Sequence, residues 1–379
     1  MIYYFGAFER FNYGDMLFPK ILDYYFKQQN IDIKKIKFLG LIDCDLTHYG
    51  GDKISRYSSH AKHLTKDDIV IIVGGEVLNS NIGTLYSFIF NDELINILVK
   101  KNLSIVASLI AKKKLNHNSF YPYDLYKKKT SYCIAYNAVG GNKIKNYINQ
   151  NTVYFSTRSE RVYNSKKDEI KLFPDCVAAI SDIFSKNDNS KVKSQLNIDL
   201  IQKNISGFVG IQVNKKNCLK YGNKLANQFD CLHNSIGLPI IFIPIGLANN
   251  HEDTFSYDYL KKRMKTNLQC VEPSSIYDIL FAISNCKLFI GTSLHGNITS
   301  MSYNIPHVGF GSVKVDEYLK TWAGGIQKNG LQNIDKLSEV SQQVYNQPIE
   351  SYKKANEKHK ELAYINLENL SNKIKNFEN

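Results

Sequence analysis

Residues 286–310 read CKLFIGTSLHGNITSMSYNIPHVGF, and this stretch decides the fold. A short apolar run ends at Ile290. Gly291-Thr292-Ser293-Leu294-His295-Gly296 then turns the chain, helical spacing follows over 295–303, and Pro306 precedes a second apolar run at 307–309. Strand, turn, helix, strand is the repeating unit of a parallel sheet. Small and hydroxylated residues at a helix N-terminus leave backbone N–H groups for an anion. His295 stands at the same mouth, as general acid or as anion contact.

The same alternation extends over the rest of the chain. Apolar, β-branched runs at 2–6, 37–42, 69–73, 103–107, 131–135 and 152–155 read as strands of a first domain. Those at 207–213, 239–245, 287–290 and 307–309 read as strands of a second. The runs are continuous rather than alternating, which predicts strands covered on both faces. Helical spacing falls at 16–28, 92–101, 158–168, 255–267, 275–285 and 295–303. The expected fold class is α/β: two Rossmann-like, doubly wound domains facing across a cleft in a GT-B-like arrangement. The polar stretch 183–206 reads as the connection. The expected domains are 1–185, on the acceptor side, and 186–379, on the donor side. The Lys/Asn/Glu-rich tail from 335 reads as outer helices that pack back on the first domain.

The chain has 379 residues, 43% of them hydrophobic and 22% charged, which excludes wholesale disorder. Its formal charge is +13, from 48 Lys+Arg against 35 Asp+Glu. That balance suits a basic surface or an anionic partner: a phosphorylated substrate, an acidic glycan or a membrane face. The seven cysteines form no CxxC pair and no zinc spacing, and read as reduced core residues of a cytoplasmic protein. The start, MIYYFGAFER, has no basic leader, and Glu9 and Arg10 interrupt its apolar run. The longest apolar run, 238–248, is broken by prolines and falls short of the roughly 20 residues of a spanning helix. No nucleic-acid motif stands out, so no nucleic-acid partner is expected. The basic runs 112–114 and 127–129 read as a solvated loop, or as contacts for an anionic acceptor or lipid phosphate.

Three earlier segments also end strands in turns. In FGAFERFNYGDMLFP, 5–19, the loop carries Asn12, Gly14 and Asp15; Gly14 suits a tight turn, and Asp15 caps the next helix or points into the cleft. In IVIIVGGEVLNS, 69–80, Gly74-Gly75-Glu76 lets a ligand approach the backbone. There is neither a GxGxxG nor a GK[ST]. In VYFSTRSERVYNS, 153–165, after the paired glycines Gly140 and Gly141, Arg158 and Arg161 stand three apart on one helix face. They suit a carboxylate or phosphate clamp, or a surface pair with Glu160. Asp43-Cys44-Asp45 spells DxD but is too short a pattern to assign a metal, and no metal site is expected.

In this order, NYGD (Asn12 to Asp15), the GGE turn (Gly74 to Glu76), STRSE (Ser156 to Glu160) and GTSLHG (Gly291 to Gly296) resemble the polysaccharide pyruvyl transferase family over about residues 1–310. The resemblance implies a GT-B-like fold and transfer of pyruvate from phosphoenolpyruvate onto a sugar of a capsule, exopolysaccharide or other cell-envelope glycan, forming a ketal without metal or cofactor. It implies His295 as general acid and Asp15 as the residue that orients the hydroxyl or acts as base. Arg158 and Arg161, with Thr292, Ser293, Leu294, Gly296 and Asn297, would bind the donor. Asn12, Gly14, Gly74, Gly75 and Glu76 would line the cleft. The acceptor would be a lipid-linked oligosaccharide or repeat unit, met in the cytoplasm at the inner face of the membrane with peripheral membrane contact. One departure stands out. The family typically has Arg directly before Leu-His, and this chain has Ser293. A charged hydrogen bond is worth about 1.5–3 kcal/mol. Arg161 or a lysine from another loop would have to replace it, or the donor differs. A GT-B glycosyltransferase using a nucleotide sugar is the second reading, and a non-catalytic glycan-pathway scaffold the third.

Overall fold

The computed structural model describes residues 1–248, 253–323 and 330–378. The chain divides into two compact units: Met1–Cys176 with Ala248 and the C-terminal segment from Leu362, and a second unit of Val177–Leu247 with the described residues from Asp253 to Glu361. Each is built on a sheet of mostly parallel strands with helices on its faces.

In the first unit the strands are β1 (Ile2–Phe5), β2 (Ile36–Gly40), β3 (Cys44–Asp45), β4 (Lys53–Arg56), β5 (Ile69–Val73), β6 (Glu76–Leu78), β7 (Cys133–Gly141), β8 (Thr152–Thr157) and β9 (Lys171–Leu172). Their order is β3-β4-β2-β1-β5-β7-β8-β9, with β6 paired to β7. β1 pairs in parallel with β2 on one side and β5 on the other, Ile2 lying against both Ile36 and Ile69. Every residue of β1 and β5 is buried, as the continuous apolar runs predict. Strand order reverses direction around β1, so the loops after β1 and β5 flank the switch point where ligands of such sheets bind.

The second unit holds β10 (Val209–Gln212), β11 (Ile240–Phe242), β12 (Leu268–Cys270), β13 (Leu288–Gly291) and β14 (His307–Gly309), in the order β12-β11-β10-β13-β14. All its pairings are parallel. The reversal falls between β10 and β13, whose carboxyl ends are Gln212 and Gly291. The decisive sequence segment therefore ends its strand at this unit's switch point. Helix Leu294–Ser302 follows directly.

Several elements differ from the sequence reading. The run 103–107 is not a strand; it opens helix Ser104–Leu115. An unbroken apolar run cannot distinguish the two states, and here Ala107, Ser108, Ala111 and Leu115 face inward at helical spacing. Gly140 and Gly141 do not form a turn after a strand at 131–135, because β7 runs on through both. The helix expected over 158–168 shrinks to Glu160–Tyr163, so Arg158 precedes it and shares no helix face with Arg161. Gly14 lies inside helix Tyr13–Gln28 rather than in a turn. The stretch 183–206 is not a free linker: it contains helix Gln195–Lys203, and buried Asn197 hydrogen-bonds Glu272 and Asp278 within the second unit. Helix Lys215–Ile236, Asn-capped and glycine-terminated, was not read at all. All seven cysteines are free, but Cys231 is exposed rather than in a core.

The C-terminal helix, Ile349–Glu378, enters the first unit through a stripe of Ala363, Leu367, Leu370 and Ile374, all fully buried at helical spacing. Asn366 on that stretch donates to Asn137 Oδ1 at 2.6 Å and accepts from the Tyr154 hydroxyl at 2.7 Å. All three side chains are buried. Replacing Asn366 with Leu strands both partners, and buried unpaired groups cost about 1–3 kcal/mol each. Urea unfolding of Asn366→Leu should lose about 2–4 kcal/mol; an unchanged midpoint would mean the helix docks by its apolar stripe alone.

Candidate functional site

In the second unit, the turn after β13 is built by its neighbours. Ser293 is the N-cap of helix Leu294–Ser302, and its hydroxyl accepts from the Gly296 amide at 3.2 Å. The residue that departs from the family pattern thus has a local structural task. Asn297 donates to the carbonyls of Gly291 (3.2 Å) and Ser293 (2.7 Å) and is fully buried. Leu294 is buried as well. Thr292 donates its hydroxyl to Gln212 Oε1 at 3.0 Å and accepts from the Asn214 amide at 2.9 Å. The Thr292 and Asn297 side chains, expected at the donor, are hydrogen-bonded within the turn and to its neighbours, and Leu294 is buried. His295 and Ser293 are the half-buried members at its mouth.

Gln212 extends the network inward. It donates to Asp253 Oδ2 at 2.9 Å, and the same oxygen accepts from the amides of Ile245 and Gly246 at 3.0 and 2.8 Å. Burial pushes the Asp253 carboxyl up to about 7, against the pull of these three donors. One carboxylate therefore ties the loops after β10, β11 and β13 together. After β14, a cavity of about 280 Å³ is lined by Lys216, Asn217, Lys220, Gly311, Ser312 and Asp316, among others. Lys216 and Lys220 are exposed cations one turn apart on the helix that follows β10.

In the first unit, the sequence-predicted residues gather along the carboxyl edge of the sheet. Asn12 is the N-cap residue of helix Tyr13–Gln28, but its side chain does not cap; Nδ2 donates to Asp15 Oδ2 at 2.8 Å. Arg10 donates to the same oxygen at 3.1 Å. Asp15 lies in the helix's first turn, where the dipole favours its charge. Gly74 and Gly75 both have positive φ, 54° and 71°. A Cβ on Gly75 would sit 3.0 Å from Asp15 Oδ1, and one on Gly74 would enter the Phe18 ring. The glycine turn is thus the wall against which Asp15 rests.

Arg158 is not an open clamp. It is buried, with Nη1 bonded to fully buried Asp175 and Nη2 to Glu76 Oε1 at 3.1 Å. Burial opposes its charge, but Asp175 and then Glu76 outweigh that and hold it above the usual guanidinium range. Gly140 makes room for the pair: a Cβ there would lie 2.5 Å from Glu76 Oε1 and 3.0 Å from Arg158 Nε. Arg161 is half-buried and donates to the Gly141 carbonyl at 3.1 Å. Asp43 and Asp45 of the DxD are occupied in local bonds, to the Arg56 amide and to Thr47.

Glu9, which in the sequence only breaks an apolar run, joins these residues in the structure. It is 5% exposed, and neither carboxylate oxygen closes a hydrogen bond among the described residues. Burial pushes it up to about 7, against the pull of adjacent Arg10 and of the amides of Glu9 itself and Leu41. Among the described residues, its neighbour Arg10 has no hydrogen-bond partner for Nε and Nη1, nor has the Tyr123 hydroxyl, which is raised by burial and by Glu9. A carboxyl that changes charge near neutrality, beside a guanidinium with unspent donors, can move a proton or meet an anion. The available signal was a Glu-Arg pair inside a β1 loop, visible only as a disturbance of hydropathy.

A family model described as polysaccharide pyruvyl transferase matches residues 12–312. No curated protein sequence matches the chain. Among solved structures, the Staphylococcus aureus MnaA–UDP complex is similar over 99% of this chain and 95% of its own, with a TM-score of 0.54 at 11% identity. The Methanocaldococcus jannaschii UDP-GlcNAc 2-epimerase in complex with UDP-GlcNAc and UDP is similar over 92% of this chain and 93% of its own, with a TM-score of 0.53 at 11% identity. At such identity the likeness is one of fold, and the expected class of two Rossmann-like α/β domains of GT-B type is the one found.

Two predictions follow from charge burial. Arg158→Ala leaves Asp175 buried and uncompensated, and should cost about 3–5 kcal/mol in chemical unfolding. Adding Asp175→Asn should recover part of that loss; no recovery would place the cost elsewhere. For Glu9, the native state holds a proton between about pH 4.5 and 7 that the unfolded chain releases, so wild-type stability falls as pH rises through that window. Glu9→Gln should therefore gain on the wild type by up to about 3 kcal/mol from pH 4.5 to above 7. A gap that does not change with pH would contradict the raised carboxyl.

Proposed function

The chain belongs to the polysaccharide pyruvyl transferase family, and on that premise we propose that it transfers pyruvate from phosphoenolpyruvate to a sugar of a cell-surface glycan, forming a cyclic ketal. The observation that carries the reading is the Gly291–Gly296 turn. It puts His295 and a capped helix N-terminus at the carboxyl end of β13, where the strand order reverses between β10 and β13.

In this reading the second unit handles the donor. Helix-terminal amides of Leu294 and His295 receive the phosphate. Lys216 and Lys220 supply the positive charge that Ser293 does not. His295 protonates the methylene carbon of phosphoenolpyruvate, which makes C2 electrophilic. A sugar hydroxyl adds to C2, and its proton returns to His295. A second hydroxyl of the same sugar then displaces phosphate from C2 by cleavage of the C–O bond, and its proton leaves with the phosphate. The first unit handles the acceptor: Asp15, held by Asn12 and Arg10, orients a hydroxyl, and Glu76, held by Arg158, is a second acceptor-side carboxylate. No metal or cofactor enters the scheme.

A nucleotide-sugar donor is the second reading. Ser293 favours it, because a helix N-terminus without the guanidinium still suits a diphosphate, and both similar structures were solved with UDP.

Thermal unfolding of the full chain with phosphoenolpyruvate, and separately with UDP-, GDP- and CMP-sugars, separates the two. A ligand at about 100 times its Kd adds about 2.7 kcal/mol. Phosphoenolpyruvate should raise the Tm, Lys216→Gln/Lys220→Gln should lose the shift, and His295→Gln should keep the shift while turnover falls about 10²–10⁴-fold. A shift with a nucleotide sugar alone would overturn the pyruvyl reading.

A further inference from the structure

Helix Ser104–Leu115 is inside out. It turns Ala107, Ser108 and Ala111 toward the body of the first unit and leaves Ile105, Val106 and Leu109 exposed, at 71%, 44% and 54%. The small residues let it sit hard against helix Ile82–Ile89: a Cβ on Gly83 would lie 2.7 Å from the Ser108 amide. Burial of apolar area favours the opposite orientation. The preceding helix, Glu93–Lys100, buries Ile95 and packs Leu98 and Val99 against the core, yet leaves Leu94 and Ile97 exposed, and Leu103 in the connecting loop is exposed as well.

The two helices run back to back. Asp92, the N-cap of the first, pairs with Lys114 in the last turn of the second. The six exposed apolar side chains therefore lie between two basic ends, with Lys100 and Lys101 at one and Lys112, Lys113 and Lys114 at the other. Over 92–114 there are five lysines against two acids, and the Asp92–Lys114 pair leaves four lysines against Glu93. A contiguous exposed apolar patch marks an interaction site. Its basic ends select the partner. A second copy of this face would bring five more lysines against these five, whereas an anionic bilayer offers hydrocarbon to the middle and lipid phosphates to the ends. Among the described residues no helix is long and apolar enough to cross a membrane, so the patch lies on the bilayer rather than through it.

We propose that the helix pair 93–115 is a docking face for an anionic membrane surface, with Leu94, Ile97, Leu103, Ile105, Val106 and Leu109 entering the interface and the flanking lysines meeting lipid phosphates. This binding is independent of the pyruvyl reaction, and its readout involves no turnover.

The test is flotation of the full chain with vesicles of phosphatidylcholine alone and of phosphatidylcholine with about one-third phosphatidylglycerol, beside sedimentation velocity without lipid. The chain should float only with the anionic vesicles, and high salt should release it. Ile105→Glu/Leu109→Glu should abolish flotation without lowering the Tm, since both positions are exposed. Lys100→Gln/Lys101→Gln should weaken binding about fivefold per lysine. Failure to float with either vesicle, equal binding to both, or full binding by Ile105→Glu/Leu109→Glu would each overturn the proposal. A dimer that this double variant splits, with no flotation by the wild type, would assign the face to self-association instead.

Discussion

A parallel strand covered on both faces has no place along its length for a charged side chain, because either face would bury it. In both units of this protein the central strands obey that limit: β1, β5, β10 and β13 are buried from end to end. Polar chemistry is left to the strand ends. The amino ends enter from helices and surface loops, while the carboxyl ends open where strand order reverses. The candidate site residues cluster at those carboxyl edges for that reason.

Placing charge there still requires partners, and the two units solve this differently. In the second, Asp253 collects Gln212 and two backbone amides, and through Gln212 it fixes Thr292 and the turn that presents His295. Most of the GTSLHG motif is therefore scaffold for its exposed members. In the first, Arg158 is committed to Asp175 and Glu76, and Asp15 to Arg10 and Asn12. Glu9 is buried, and burial raises its carboxyl toward neutrality against the pull of Arg10. A motif residue and a functional residue are thus separate things here, since burial decides which side chains remain available.

Apolar surface is mostly buried, and exposed apolar side chains are densest in sequence over 94–109. The C-terminal helix buries a regular stripe in the first unit, and the core strands bury nearly everything apolar they carry. Against that background, the outward-facing Ile105, Val106 and Leu109, framed by lysines, are anomalous for a helix whose only role is to cover a sheet.

Continuous apolar runs announced most of the parallel strands, and the four ordered motifs announced the family. Both signals are local, because a strand buried on two faces must be apolar throughout, and a strand-to-helix turn needs glycines and small residues at fixed spacing. The run 103–107 looked like such a strand, and only its packing on helix 82–89, through Ala107 and Ser108, made it helical. Ser293 looked like a missing guanidinium until the helix it caps was visible. Arg158 looked like an anion clamp, yet Asp175, 17 residues on in sequence, occupies it. Glu9 looked like nothing at all. The chain's local pattern carried the parallel strands and the Gly291–Gly296 turn, because backbone preference and hydropathy act between near neighbours. Tertiary structure alone decided which charges are paired, which are buried and which stay open, because desolvation and ion pairing depend on groups that only folding brings together.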